Sequence, residues 1–278
     1  MHQKVGRFAL VAILVATMMV TATADSGQNN DAGSGADAGN TRDAATKIQL
    51  ATTYSARLRA GDVDWYAADV TNAAPTCVLA RASANSPTYL ALGVESPALR
   101  ASAPIYVTSG QEGRAGIAGI APLTATLRAS PPTADANASK YDFNITAILA
   151  PTTGGDLGTS FDAGESTGSA MPTTPGCTMG TLRGLDLRDV YSLSIAANQV
   201  ITYTLASQES GVTLTLLDSL GNIIGPTIAR GESASVLTST SGTYFLSSSR
   251  STSVSDSGYA IGTIVGPEPS GCRPYCMS

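Results

Sequence analysis

Histidine is almost missing from this 278-residue chain, and the one it has, His2, lies in the first few residues. Without histidine further on, no Ser-His-Asp or Cys-His triad and no imidazole zinc site can be built. Lysine is scarce too: beyond Lys4 there are only Lys47 and Lys140. Neither sits in an S-x-x-K spacing, because Ala44 and Asn137 hold the positions three residues before them. Aromatic residues make up 5% of the chain and tryptophan occurs once, too few to line a deep saccharide cleft as well as fill a core. Phosphate-cradling loops, the dinucleotide fingerprint, the G-x-S-x-G elbow and H-E-x-x-H are all absent.

Long apolar runs are missing as well, apart from Phe8–Val20. That run is short for a membrane span of about 20 residues. Lys4 and Arg7 precede it and Ala22-Thr23-Ala24 follows it, so residues 1–24 are expected to be a signal peptide cleaved after Ala24. The expectation is a secreted protein, extracellular, periplasmic or held at the cell surface, without a stable membrane anchor. Loss of the leader leaves 14 Lys+Arg against 21 Asp+Glu, a net charge of −7. Nucleic acid and anionic membranes select basic surfaces and are not expected partners.

What is present is Ser, Thr, Ala and Gly, with short alternating runs of Val, Ile, Thr and Tyr between turn residues. That pattern predicts an all-β chain. The four cysteines, Cys77, Cys177, Cys272 and Cys276, suit two disulfides in an oxidising compartment and allow three connectivities. Cys77–Cys177 with Cys272–Cys276 is favoured, since the alternatives need the tail to fold back. A loop of about 100 residues closed by the first bridge contributes roughly 4.7 kcal/mol on chain-entropy grounds. Asn137 and Asn144 stand in glycosylation sequons.

The chain also repeats itself. DAGSGADAGN at 31–40 returns as DLGTSFDAGE at 156–165, and DWY at 64–66 as DVY at 189–191, both at an offset of 125. Strand-like runs follow at 77–83, 88–94, 103–109, 123–129 and 140–148, and again at 200–207, 212–219, 233–239, 242–249 and 258–265. Period-2 alternation puts Asp64, Tyr66 and Ala68 on one face, and Tyr141, Phe143 and Ile145 on another. Core packing is the expected role of these aromatics. The predicted architecture is two tandem jelly-roll or Greek-key β-sandwiches, at 25–150 and 151–266, with a cysteine-containing tail at 267–278. Each repeat is long enough to bury a core of its own.

The acidic entry segments carry hard oxygen donors at i, i+6 and i+9: Asp31, Asp37 and Asn40, then Asp156, Asp162 and Glu165. Glycines between them let the chain wrap. Six to eight oxygen ligands suit Ca²⁺, and calcium is the expected cofactor. Acidic Gly/Ser-rich runs are more often plain solvated loops; the duplicated spacing puts the calcium reading on a par with that one.

Both halves resemble the bacterial and archaeal pre-peptidase C-terminal (PPC) domain, a β-sandwich appended to secreted peptidases and found also without them. In the second half the matching stretches are D-L-G-T-S-F-D, D-L-R-D-V-Y, L-L-D-S-L-G-N and S-G-T-Y-F-L. The first half matches at its entry and at G-D-V-D-W-Y, then departs: GVESPALR replaces the aspartate-glycine turn, and the G-T-Y aromatic is missing near LTATL. The resemblance implies calcium held between the entry segment and an acidic pair before the next aromatic. Asp186 and Asp189 match that pair ahead of Tyr191. In the first half Asp64 precedes Trp65, Gly61 stands where the earlier aspartate belongs, and Asp62 is its nearest substitute. The functional expectation is a non-catalytic binding, adhesion or accessory protein, stabilised by calcium and engaging an extracellular protein or surface polymer. The alternative is a hydrolase, or hydrolase accessory, working through carboxylates.

Overall fold

The computed structural model describes residues 30–72, 74–96, 100–131, 139–151, 155–158 and 161–267. The expected leader, Cys272 and Cys276, and the sequon at Asn137 lie outside these residues. No described helix is long and apolar enough to cross a membrane.

The chain folds as two β-sandwiches in tandem. The first contains β1 (Thr46–Lys47), β2 (Thr53–Leu58), β3 (Asp64–Val70), β4 (Pro75–Ala84), β5 (Thr88–Glu95), β6 (Arg100–Val107), β7 (Glu112–Ile120), β8 (Leu123–Ser130) and β9 (Ser139–Leu149). The second contains β10 (Met171–Pro172), β11 (Gly176–Leu182), β12 (Arg188–Ile195), β13 (Gln199–Ser207), β14 (Val212–Leu217), β15 (Ile228–Ala229), β16 (Ser233–Thr238), β17 (Gly242–Arg250) and β18 (Ser257–Pro267). The sheets run β1-β3-β8-β5-β6 and β2-β9-β4-β7, then β10-β12-β17-β14-β15 and β11-β18-β13-β16. With β1 and β10 set aside, the eight remaining strands of each domain stack as 1-8-3-6 against 2-7-4-5, the jelly-roll order.

Alternation explains how each sandwich closes. Along β3, Asp64, Tyr66 and Ala68 face inward as the period-2 pattern requires, and Asp69 faces out. Tyr141, Phe143 and Ile145 fill the same core from β9. The Tyr66 and Phe143 rings meet at 4.4 Å. In the second core Tyr191, Tyr203 and Tyr259 are fully buried among Leu193, Leu205, Leu214 and Ile261.

The domains also pack on each other. Cys77, Ala118, Ala150, Ala206 and Ala260 form a small-residue cluster where β4 and β7 meet β13 and β18. Ala118 N donates across it to Thr204 Oγ1 at 2.7 Å. A side chain at Gly262 would collide with the backbone of Gly116 and Ala118, so glycine there lets the two sheets approach. The Cys77–Cys177 disulfide, with a Cα separation of 5.8 Å, crosses this contact.

Candidate metal centres

Each domain begins with an entry strap, and the two straps fold alike. Asp31 N donates to Ala36 O, and Asp156 N to Phe161 O. A short 3-10 turn begins at each aspartate, and its second residue is left-handed without being glycine: Ala32 at φ 52° and Leu157 at φ 51°. Left-handed backbone at a residue with a Cβ costs roughly 1–2 kcal/mol, and the duplication retains it twice. The strap then crosses to the first inner strand. Trp65 N donates to Gly39 O and Val190 N to Gly164 O. β1 and β10 next pair in parallel with β3 and β12.

This route carries the strap carboxylates onto the strand aspartates. Carboxylate oxygens of Asp31, Asp37 and Asp64 lie within 4.8 Å of one another, and so do those of Asp156, Asp162 and Asp189. The buried strap aspartates are held by backbone amides. Asp31 accepts from Arg57 N (2.8 Å) and Ala38 N (3.2 Å); Asp156 accepts from Thr181 N (2.9 Å) and Ala163 N (2.6 Å). The strand aspartates are fully buried and held by tyrosines. Tyr141 OH donates to Asp64 Oδ2 and Tyr259 OH to Asp189 Oδ2, both at 2.6 Å. A second buried tyrosine backs each: Tyr66 lies 2.9 Å from Tyr141, and Tyr191 lies 2.7 Å from Tyr259, oxygen to oxygen.

The other oxygen of each strand aspartate, Oδ1, is buried with no hydrogen-bond partner among the described residues. Asp62 Oδ2 and Asp186 Oδ1 are orphaned in the same way. A buried carboxylate oxygen without a partner is costly, and four of them recur in matched pairs. Desolvation accordingly raises every one of these acids, with neighbouring carboxylates adding to it. Asp64 is pushed up to about 8 and Asp189 to about 9, despite the tyrosine hydrogen bonds that pull the other way. Burial and Asp37 raise Asp31 to about 6, while its backbone hydrogen bonds pull it back. Burial and the charge of Asp162 raise Asp186 to about 6. Asp62 and Asp156 are also raised, chiefly by burial. The donor set is oxygen only, and three oxygens within 4.8 Å of one another fit around a single Ca²⁺ with bonds near 2.4 Å.

Most of the acids read from the sequence meet at these two places. Asp186 lies beside the second triad, since Asp162 and Asp156 both act on it. Asn40 and Glu165 are exposed, and Glu165 stands outside the second triad. With its amide turned to suit its neighbours, Asn40 Nδ2 donates to Asp62 Oδ1 (2.9 Å) and Val63 O (2.8 Å). Asp62 is the acid that a fixed offset of 125 fails to place. It occupies the position of Asp186, because Asp62 N donates to Arg59 O just as Asp186 N donates to Arg183 O. The signal was the shared Arg-x-x-Asp turn, one residue closer to the next aspartate in the first domain. Of the cysteines, Cys77 and Cys177 are paired as expected.

No family model matches the chain, and no curated protein matches it. Among solved structures, tripeptidyl peptidase 2 aligns at 8% identity and TM-score 0.31 over 79% of this chain and 24% of that one, so the chain spans about a quarter of that peptidase. The PBSX exported protein XepA aligns at 12% identity and TM-score 0.27, covering 76% of this chain and 84% of that one. The tandem CBM22-1-CBM22-2 domain of Paenibacillus barcinonensis Xyn10C aligns at 11% identity and TM-score 0.24, covering 78% and 86%.

Proposed function

We propose that the protein is a secreted, non-catalytic binding, adhesion or accessory protein whose two PPC-like sandwiches are each locked by a calcium ion. The observation that supports this most is the duplicated pair of orphaned, buried carboxylate oxygens, Asp62/Asp64 and Asp186/Asp189. A dication at each cluster would satisfy them, pin the entry strap to the first inner strand, and fix the chain where it enters each domain. The lock would make the fold an extracellular, calcium-dependent platform for a protein or surface-polymer partner.

Three carboxylates converge in each cluster, one from the first inner strand and two from the entry strap, where a glycosidase sets two carboxyl groups on opposite sides of a bound sugar. That convergence on the strap favours the platform over carboxylate hydrolysis. The test is a pull-down from native extracellular medium, with and without EDTA, run beside turnover assays on polysaccharide and peptide libraries. A partner retained only with calcium is the expected result. Turnover abolished by Asp189→Asn would overturn the reading.

A further inference from the structure

The two clusters are duplicates in their acids but not in what holds the loop between them. In the second domain the loop at 183–187 lies between β11 and β12 and carries Asp186. Arg250, at the end of β17, is buried against it. Its Nη2 donates to Gly184 O (2.7 Å), its Nε to Asp186 O (3.3 Å) and its backbone N to Leu187 O (3.0 Å). Asp256 completes the brace, pairing with Arg250 at 3.6 Å and accepting from Gly184 N at 2.9 Å. Apart from the Arg250–Asp256 ion pair, each of these bonds reaches loop backbone, and none takes an oxygen from the Asp186 carboxylate.

Among the described residues the first domain has no such brace. Asp64 pairs with Ala129 across the sheet and Asp189 with Ser248, so the residue matching Arg250 is Pro131, which has neither guanidinium nor N–H. Its loop at 59–63 is tied instead from the strap, by the Asn40 amide on Asp62 Oδ1 and Val63 O. That tie uses a carboxylate oxygen that Val63 N already contacts at 2.9 Å. The residue matching Asn40 in the second domain is Glu165, a carboxylate that accepts but does not donate.

We infer that the second domain holds the tighter of the two cation sites, and that Arg250 is the positioning residue that makes it so, by fixing the Asp186 loop while leaving the Asp186 carboxylate to the ion. The inference rests on the calcium reading above. A guanidinium suits this role because its planar fork reaches several carbonyls at once, which a lysine ammonium does not reproduce. Supporting residues outside the ligand set commonly change metal affinity by about 10–100-fold.

Calcium calorimetry on the full mature chain tests this. Asp64→Asn isolates the second site and Asp189→Asn the first. The second site is expected to bind at least about tenfold tighter. Arg250→Lys on the Asp64→Asn background is expected to remove most of that advantage. A core truncation in the same sheet, Leu216→Ala, is expected to lower the melting temperature while leaving affinity in place. Near-unchanged affinity in Arg250→Lys, equal affinities at the two sites, or an equal loss in Leu216→Ala would each overturn the inference while leaving the calcium reading intact. Absence of calcium heat in all variants and in the parent would overturn the calcium reading itself.

Discussion

At the scale of single residues, Asp64 and Asp189 govern the chemistry. Each has one oxygen held by a tyrosine and one oxygen bare, so under the calcium proposal a proton and the cation would compete for the same atom. Their folded values, about 8 and about 9, lie far above the ordinary carboxylate range. The folded state therefore keeps protons that the unfolded chain gives up near pH 4. Between that value and the folded values the native state binds more protons, so the cation-free protein loses stability as pH rises. Melting in EDTA is expected to show a falling transition temperature from pH 4 to pH 8. Calcium is expected to flatten or reverse that slope, since it displaces the protons. Asp189→Asn, neutral at every pH, is expected to melt higher than the parent in EDTA at pH 8 and to lose most of the calcium-induced rise. Tyr259→Phe strips Asp189 Oδ2 of its donor, at an expected cost of about 1–3 kcal/mol in denaturant titrations.

At the scale of elements, several strands with large alternating side chains were legible, while β2, reading TYSARL, and the small-residue strands β7 and β11 were not. The run at 88–94 appears as β5 and that at 140–148 as β9, because their inward residues are Leu, Val, Tyr, Phe and Ile. β7, reading EGRAGIAGI, and β11, reading GCTMGTL, give no such signal. Both lie where the two domains touch, and small residues there bring backbones together, which hydropathy alternation does not register. The acidic straps were legible because the repeat copied them. Asp62 was legible only as a neighbour of the expected position, Gly61, because its loop is one residue out of register with its copy. Register also sets the tolerance of β11. Gly180 stands where β2 has Ala56, yet a Cβ on Gly180 would strike Asp156 Oδ1 and the hydroxyls of Tyr191 and Tyr259. Gly180→Ala is expected to destabilise the second domain by about 1–3 kcal/mol through overpacking and to weaken calcium binding at the proposed second site. The reverse change, Ala56→Gly, is expected to cost about 1 kcal/mol or less. Denaturant titration of the pair separates the two cases.

At the scale of the whole molecule, the two sandwiches behave as one body. Ile264 of β18 packs against the core of the first domain, the Ala118–Thr204 hydrogen bond crosses between them, and Cys77–Cys177 closes a loop of 100 residues. Calorimetric melting of the oxidised protein is expected to show a single transition. Cys77→Ala/Cys177→Ala is expected to lower it by an amount approaching the roughly 4.7 kcal/mol of loop entropy the bridge removes from the unfolded chain. Gly262→Leu, which wedges the sheets apart, is expected to split the transition in two.

The most direct test of the central claim is the number of calcium ions bound per chain, measured by isothermal titration calorimetry on the EDTA-stripped protein without residues 1–24. Two ions are expected, with proton release that is larger at pH 6 than at pH 9, and one ion in each of Asp64→Asn and Asp189→Asn. No binding heat up to millimolar calcium, or two ions retained in both variants, would contradict the account.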